Sequence, residues 1–129
     1  MKIYDIPNFG KCEIHNILLD LNGTLSQFGN YPTGLKYLIQ EMKKFFEIYV
    51  ISANTRDTLD QIADELEIKA IHIPKSKSEM ESKLTSLRVL NPEQTIAIGN
   101  GNNDLEIITQ SKIGIAVLGN EGLSIQALI

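Results

Sequence analysis

The 129-residue chain has no tryptophan, one cysteine and only 6% aromatic residues, yet 43% of it is hydrophobic. Its core must therefore be aliphatic, and the length suits one domain with one sizeable core. The lone Cys12 excludes an internal disulfide and any cysteine-rich zinc site, and reads as a small buried residue. No apolar run approaches the ~20 residues that span a bilayer. The start, Met1-Lys2-Ile3-Tyr4-Asp5, lacks the continuous apolar core of a signal peptide. Cytoplasmic residence without a membrane partner is the resulting expectation. Asn22-Gly23-Thr24 matches a glycosylation sequon, which on that expectation is a chance match. The net charge of -4 is interspersed rather than gathered in runs, which argues against coating a nucleic acid.

What is present is an alternation of strand and helix patterns. Short segments at 2–6 and 11–15 flank Pro7-Asn8-Phe9-Gly10 and predict an N-terminal β-hairpin. Ile17-Leu18-Leu19 predicts a strand buried on both faces, ended at Asp20 by the turn residues Asn22-Gly23. Leu35, Leu38, Ile39, Met42 and Phe45 recur at helical spacing and predict a helix over about 33–46. Strand 48–51, a helix carrying Leu59, Ile62, Ala63 and Leu66, and strand 70–73 follow. The next helix carries Met80, Leu84 and Leu87 and stops at Asn91-Pro92. Strand 95–98 runs into Gly99-Asn100-Gly101-Asn102-Asn103-Asp104, and a short helix leads to strand 113–117. Residues 121–129 resemble the start of another helix. This alternation predicts a small doubly wound, Rossmann-like α/β domain: a parallel sheet with helices on both faces.

Asp20, Ser52 and Asp104 fall at the carboxyl ends of three strands, where open α/β sheets place their ligands. The helix after the third strand offers Lys77 or Lys83. Two carboxylates, a hydroxyl and an ammonium suit phosphoryl transfer. A carboxylate can attack phosphorus, Mg²⁺ takes oxygen ligands, and the other two groups would hold phosphoryl oxygens.

Asp20-Leu21-Asn22-Gly23-Thr24-Leu25 resembles the first motif, Asp-x-Asp-Gly-Thr, of the haloacid dehalogenase-like phosphotransferase superfamily. Ser52 after Tyr49-Val50-Ile51 resembles its second motif, and Gly99 to Asp104 its fourth, Gly-Asp-Gly-x-Asn-Asp. The ordered set covers about residues 14–118. The hairpin with Ile6-Pro7 and the Asp-x-Asn-Gly-Thr form resemble the small soluble proteins likened to the P-type ATPase phosphorylation domain. The resemblance implies that Asp20 is the nucleophile. It implies that Asp20, Asp104 and the Asn22 backbone carbonyl bind Mg²⁺, and that Ser52 and Ala53 hold the phosphoryl group. The family's lysine falls on Lys83, 17 positions before Asn100, with Lys77 as the alternate.

Two departures stand out. Hydrolytic relatives carry a second aspartate, which exchanges protons, where this chain has Asn22. Turnover is therefore expected to be slow, since such help is worth about 10²–10⁴-fold. Asn100 replaces an aspartate of the glycine-rich loop, so weaker magnesium binding is expected. Only about ten residues separate Leu25 from Leu35, and a helix and a strand fill 52–83, so no cap domain is expected. Relatives continue past the position of Ile129 with a further strand and helix, so the C-terminal edge is expected to be truncated or lost.

The expected substrate is a phosphorylated small molecule or phosphoprotein, and the hairpin is the surface expected to meet a second copy in a homo-oligomer. His15 and His72 read as packed or edge residues, Asp57 as a helix N-terminal charge, and Lys75 to Ser78 as a solvated link. Two alternatives stand beside the phosphatase. One is a weakly active or non-catalytic Mg²⁺- and phosphate-binding module for regulation or assembly. The other is a response-regulator receiver, which lacks the Gly-Asn-Gly-x-Asn-Asp loop.

Overall fold

In the computed structural model, which describes residues 2–6, 10–21, 34–52, 56–73, 78–100 and 104–117, the chain begins with an antiparallel pair. Strands β1 (Lys2–Ile6) and β2 (Gly10–Ile14) form a two-stranded sheet of their own, with Tyr4 opposite Cys12. Such a pair is marginal in water by itself. Here one face is anchored, with Cys12 and Ile14 fully buried. His15 then separates the hairpin from the main sheet: its N–H donates to Gln94 O, and its carbonyl accepts from Glu47 N–H.

The main sheet has five strands in the order β5-β4-β3-β6-β7, every neighbouring pair parallel. They are β3 (Asn16–Asp20), β4 (Glu47–Ser52), β5 (Lys69–His72), β6 (Thr95–Gly99) and β7 (Ile113–Ala116). The helices between them are α1 (Leu35–Met42), α2 (Arg56–Leu66), α3 (Glu79–Leu90) and α4 (Leu105–Gln110). Side chains alternate across the sheet. Ile17, Leu19, Leu21, Ile48 and Val50 pack with Ile39 of α1 and with Leu59, Ile62, Ala63 and Leu66 of α2. Leu18, Ile51 and Ala97 pack on the opposite face with Leu87 of α3 and Ile107 of α4. The Rossmann-like class read from the sequence is the class observed.

The direction of winding reverses at the centre. From β3 the chain adds β4 and then β5 on one side, and after α3 it adds β6 and β7 on the other. The carboxyl ends of β3 and β6 therefore flank a topological switch point, where doubly wound folds open a ligand crevice.

Local chemistry explains the helix ends. Ser78 caps α3 by accepting a hydrogen bond from Glu81 N–H, the Ser-x-x-Glu start signal. At the other end Asn91 takes a positive φ of 73°, and its side chain accepts from Glu93 N–H just before β6. Helix α1 is shorter than its periodicity suggests. It ends at Met42, whose carbonyl accepts from both Phe45 and Phe46 N–H at 3.0 Å. That tight turn lets Glu47 start β4 opposite Asn16, and it leaves Phe45 42% exposed instead of on the core stripe. The Asn22 turn, Ala53, Lys77 and the 121–129 tail lie outside the described residues.

Candidate active site

Strand β3 delivers Asp20 onto the face that packs against α3, the same face as Leu18. The neighbouring strand β4 ends in buried Ser52, and β6 runs out through Gly99 into buried Asn100 and Asp104. Helix α3 approaches this end with its N-terminus and turns Lys83 inward, four residues before the core residue Leu87. Lys83 and Asp104 are both 0% exposed, and Lys83 heads the largest fully buried side chains among the described residues.

A lysine this deep is tolerated only if its charge is paired. Lys83 Nζ donates to Asp20 Oδ1 at 2.8 Å and to Asp104 Oδ1 at 2.7 Å. A third carboxylate, Glu79 Oε1 one turn earlier on α3, lies 3.9 Å from the same nitrogen. The other oxygen of Asp104 accepts from the backbone N–H of Asn100 at 3.2 Å. Asp104 is thus held on two sides, and the third side belongs to Gly99. A Cβ on Gly99 would sit 2.6 Å from Asp104 Cγ and 2.7 Å from Oδ2. The glycine is there because the carboxylate folds back over it.

Electrostatics follow from this crowding. Burial, reinforced by the Asp104 charge, raises Asp20 from 3.8 to about 7 although Lys83 pulls the other way. Burial also works against the Lys83 ammonium, but the two carboxylates outweigh it and its pKa moves up. When Asp20 is ionised, the two aspartates and one ammonium leave a net negative charge in a buried site. That imbalance, with hard oxygen donors, suits Mg²⁺, which takes one or two carboxylates and completes its shell with water and phosphate oxygens. Among the described residues no group of three His, Cys, Asp or Glu is arranged to hold a metal by protein groups alone.

Of the residues singled out from the sequence, Asp20, Lys83 and Asp104 touch one another. Ser52 stands at the end of the adjacent strand, one position beyond Ile51, the register partner of Asp20. Asn22, Ala53 and Lys77 lie outside the described residues. Glu79, four residues before Lys83, lies on the same helix face by ordinary i,i+4 spacing. His72 lies on the edge strand β5, where Nε2 meets Asp60 Oδ1 at 2.8 Å. No helix among the described residues is long and apolar enough to cross a membrane.

Solved structures share this architecture. Phosphoserine phosphatase in its apo form superposes with a TM-score of 0.72 at 16% identity, over 89% of this chain and 92% of that one. A phospho-aspartyl intermediate analogue of phosphoserine phosphatase gives 0.68 at 16% identity, over 81% and 86%. The 3-deoxy-D-manno-octulosonate 8-phosphate phosphatase of Moraxella catarrhalis, solved with magnesium, phosphate and its sugar, gives 0.71 at 18%, over 90% and 73%. At these identities the likeness is one of fold. An uncharacterized protein of Methanocaldococcus jannaschii is 44% identical over 41 residues, which are 32% of this chain and 93% of that protein. The sequence model of the haloacid dehalogenase-like hydrolases matches residues 28–122, most of the chain, beginning beyond Asp20. The chain belongs to the haloacid dehalogenase-like hydrolase family.

Proposed function

We propose that this protein is a Mg²⁺-dependent phosphatase or phosphotransferase that acts through an aspartyl-phosphate on Asp20. One observation carries the reading: the Lys83 ammonium held between Asp20 and Asp104 at the carboxyl ends of the central strands. A buried ion triad is a poor way to stabilise a fold. It is a good way to hold a nucleophile and a metal-binding group a fixed distance apart.

In this mechanism Asp20 attacks phosphorus and takes the phosphoryl group as an acyl phosphate. Lys83 releases its hold on Asp20 as that charge is consumed and turns its protons toward a phosphoryl oxygen. The Ser52 hydroxyl and the Ala53 N–H receive the other oxygens. Asp20, Asp104 and the Asn22 carbonyl would hold the metal. When bound, Mg²⁺ offsets the negative charge that gathers on the phosphoryl oxygens. Asn22 has no exchangeable proton of suitable pKa, so it leaves turnover slower than a carboxylate there would give, by about 10²–10⁴-fold. The stretches between β3 and α1 and between β4 and α3 are too short in sequence for a cap domain, which favours an exposed phosphate on a small molecule or a protein. This combination resembles that of the capless members likened to the P-type ATPase phosphorylation domain.

The test is phosphate release from small phosphate esters with Mg²⁺ and with a chelator, for the wild type and Asp20→Asn. Release that needs the metal and vanishes in Asp20→Asn is expected. Equal release from both proteins eliminates the reading. Asn22 and Asn100 favour a second one, a Mg²⁺- and phosphate-binding module without turnover. Phosphate binding with no release, even in Asn22→Asp, is the result that selects it.

A further inference from the structure

We propose that residues 118–129, which lie outside the described residues, dock in an apolar groove formed by one face of β6 and β7 and the flank of α1. No residue of the candidate active site takes part.

A strand inside a parallel sheet is ordinarily buried on both faces. Strand β6 lies between β3 and β7, yet it meets that expectation on one face only. Thr95 and Ala97, on the α3 and α4 face, are 0% exposed. Ile96 and Ile98 point the other way and are only half-buried. Their register partners show the contrast. Ile17 and Leu19 of β3, packed with Ile39 of α1 on that same face, are 4% and 6% exposed. On the other side Ile96 pairs with half-buried Ile113, and Ile98 pairs with Ile115, which is 42% exposed. The four isoleucines form a two-by-two apolar floor.

Helix α1 forms one wall. Gln40 and Lys43 donate from α1 to the Leu66 and Glu67 carbonyls at the end of α2, so that flank of α1 faces α2. At about 100° per residue Leu38 falls on the opposite flank, toward β6, and it is 58% exposed. Helices α1 and α2 serve β3, β4 and β5, while α3 and α4 lie on the other face of the sheet. Among the described residues no helix is left for the isoleucine face of β6 and β7. Two strands make that floor roughly 10 Å across, the width of one helix.

The chain's own C-terminal segment fits this groove in position, length and composition. Val117 N–H donates to Gly99 O, which sets the end of β7 beside the end of β6, at one end of the floor. Gly119-Asn120 is turn punctuation, so the chain can reverse there. Residues 121–129 in helical form span about 13 Å, against about 16 Å for the five residues of β6. Ile125, Leu128 and Ile129 recur at i, i+3 and i+4 as one apolar stripe, with Ser124 and Gln126 off it. Tethered at the end of the groove, the segment meets it at an effective concentration on the order of millimolar, which favours it over a separate partner.

The test uses the full chain. Leu128→Asp and Ile115→Ser are each expected to lower the thermal midpoint by roughly 4–10 °C. The two together are expected to lower it little further than the larger single loss, because both break one contact. Gln126→Asp, off the stripe, is expected to leave the midpoint unchanged. A chain carrying Ile115→Cys and Leu128→Cys, treated with a short bismaleimide, is expected to link within one molecule, read by mass spectrometry as one linker added per chain. Cys12, 1% exposed, does not compete for the reagent. A wild-type midpoint in Leu128→Asp overturns the proposal, as do strictly additive losses. So does the absence of a link between two thiols that each react with a maleimide singly. A link between two molecules, with Ile115→Ser turning a dimer into a monomer in sedimentation, gives the groove to a second copy and overturns the proposal as well.

Discussion

Replacing Asp20 by Asn should stabilise the metal-free protein, and by an amount that depends on pH. In the native chain Asp20 titrates at about 7 because it is buried beside Asp104, whereas an unfolded aspartate titrates near 3.8. Between those values the native protein retains a proton that the unfolded chain has released. Stability must therefore fall as pH rises from about 4 to about 7, and level off above. A difference of about 3 units corresponds to about 4 kcal/mol at the plateau. The attraction of Lys83 is already inside that figure, since it moderates the shift. Asn is neutral at every pH and nearly the same shape, so Asp20→Asn should behave as wild type with a permanently protonated Asp20. With chelator present, its midpoint should exceed that of wild type by roughly 10 °C at about pH 8, and the gap should close below about pH 4. Thermal unfolding followed by circular dichroism across that range reads both numbers. A variant less stable than wild type at about pH 8, or a gain that does not change with pH, would refute the charge crowding described for this site.

Three further outcomes follow from the same contacts. Lys83→Met leaves two buried carboxylates without their cation and should cost roughly 3–5 kcal/mol near neutral pH, measured by urea unfolding; adding Asp20→Asn should return part of it. Gly99→Ala pushes a methyl group to 2.6 Å from Asp104 Cγ. It should cost about 1–3 kcal/mol and weaken Mg²⁺ binding by calorimetry, with the fold kept by circular dichroism. Asn22→Asp should raise kcat for small phosphate esters about 10²-fold, and an unchanged rate would show that proton transfer does not limit turnover.

Much of this arrangement was legible in the sequence because it depends on short-range punctuation. Ile17-Leu18-Leu19-Asp20 and Ile96-Ala97-Ile98-Gly99-Asn100 each run apolar and then turn polar, which is what a buried strand ending at a crevice looks like. Lys83 could be placed only through its distance from the glycine-rich loop, since a lysine on a helix ordinarily faces solvent. Glu79 approaches Lys83 through ordinary i,i+4 helix spacing, and an acid in the first turn of a helix already has a reason to be there. Gly99 shows a different limit. Its need for no side chain arises from Asp104 folding back four residues later, a contact that no local pattern encodes. Helix α1 ends at Met42 because β4 must begin in register with β3, and tertiary pairing there overrides a helical period that runs on to Phe45.

The central claim is that Asp20 carries the phosphoryl group. Its most direct test is acid quenching of the protein after exposure to Mg²⁺ and a small phosphodonor, with mass spectrometry locating the added group. The account predicts a metal-dependent phosphoryl group on the peptide containing Leu19-Asp20-Leu21, absent from Asp20→Asn. A phosphoryl group on any other residue, or one that persists in Asp20→Asn, would contradict it.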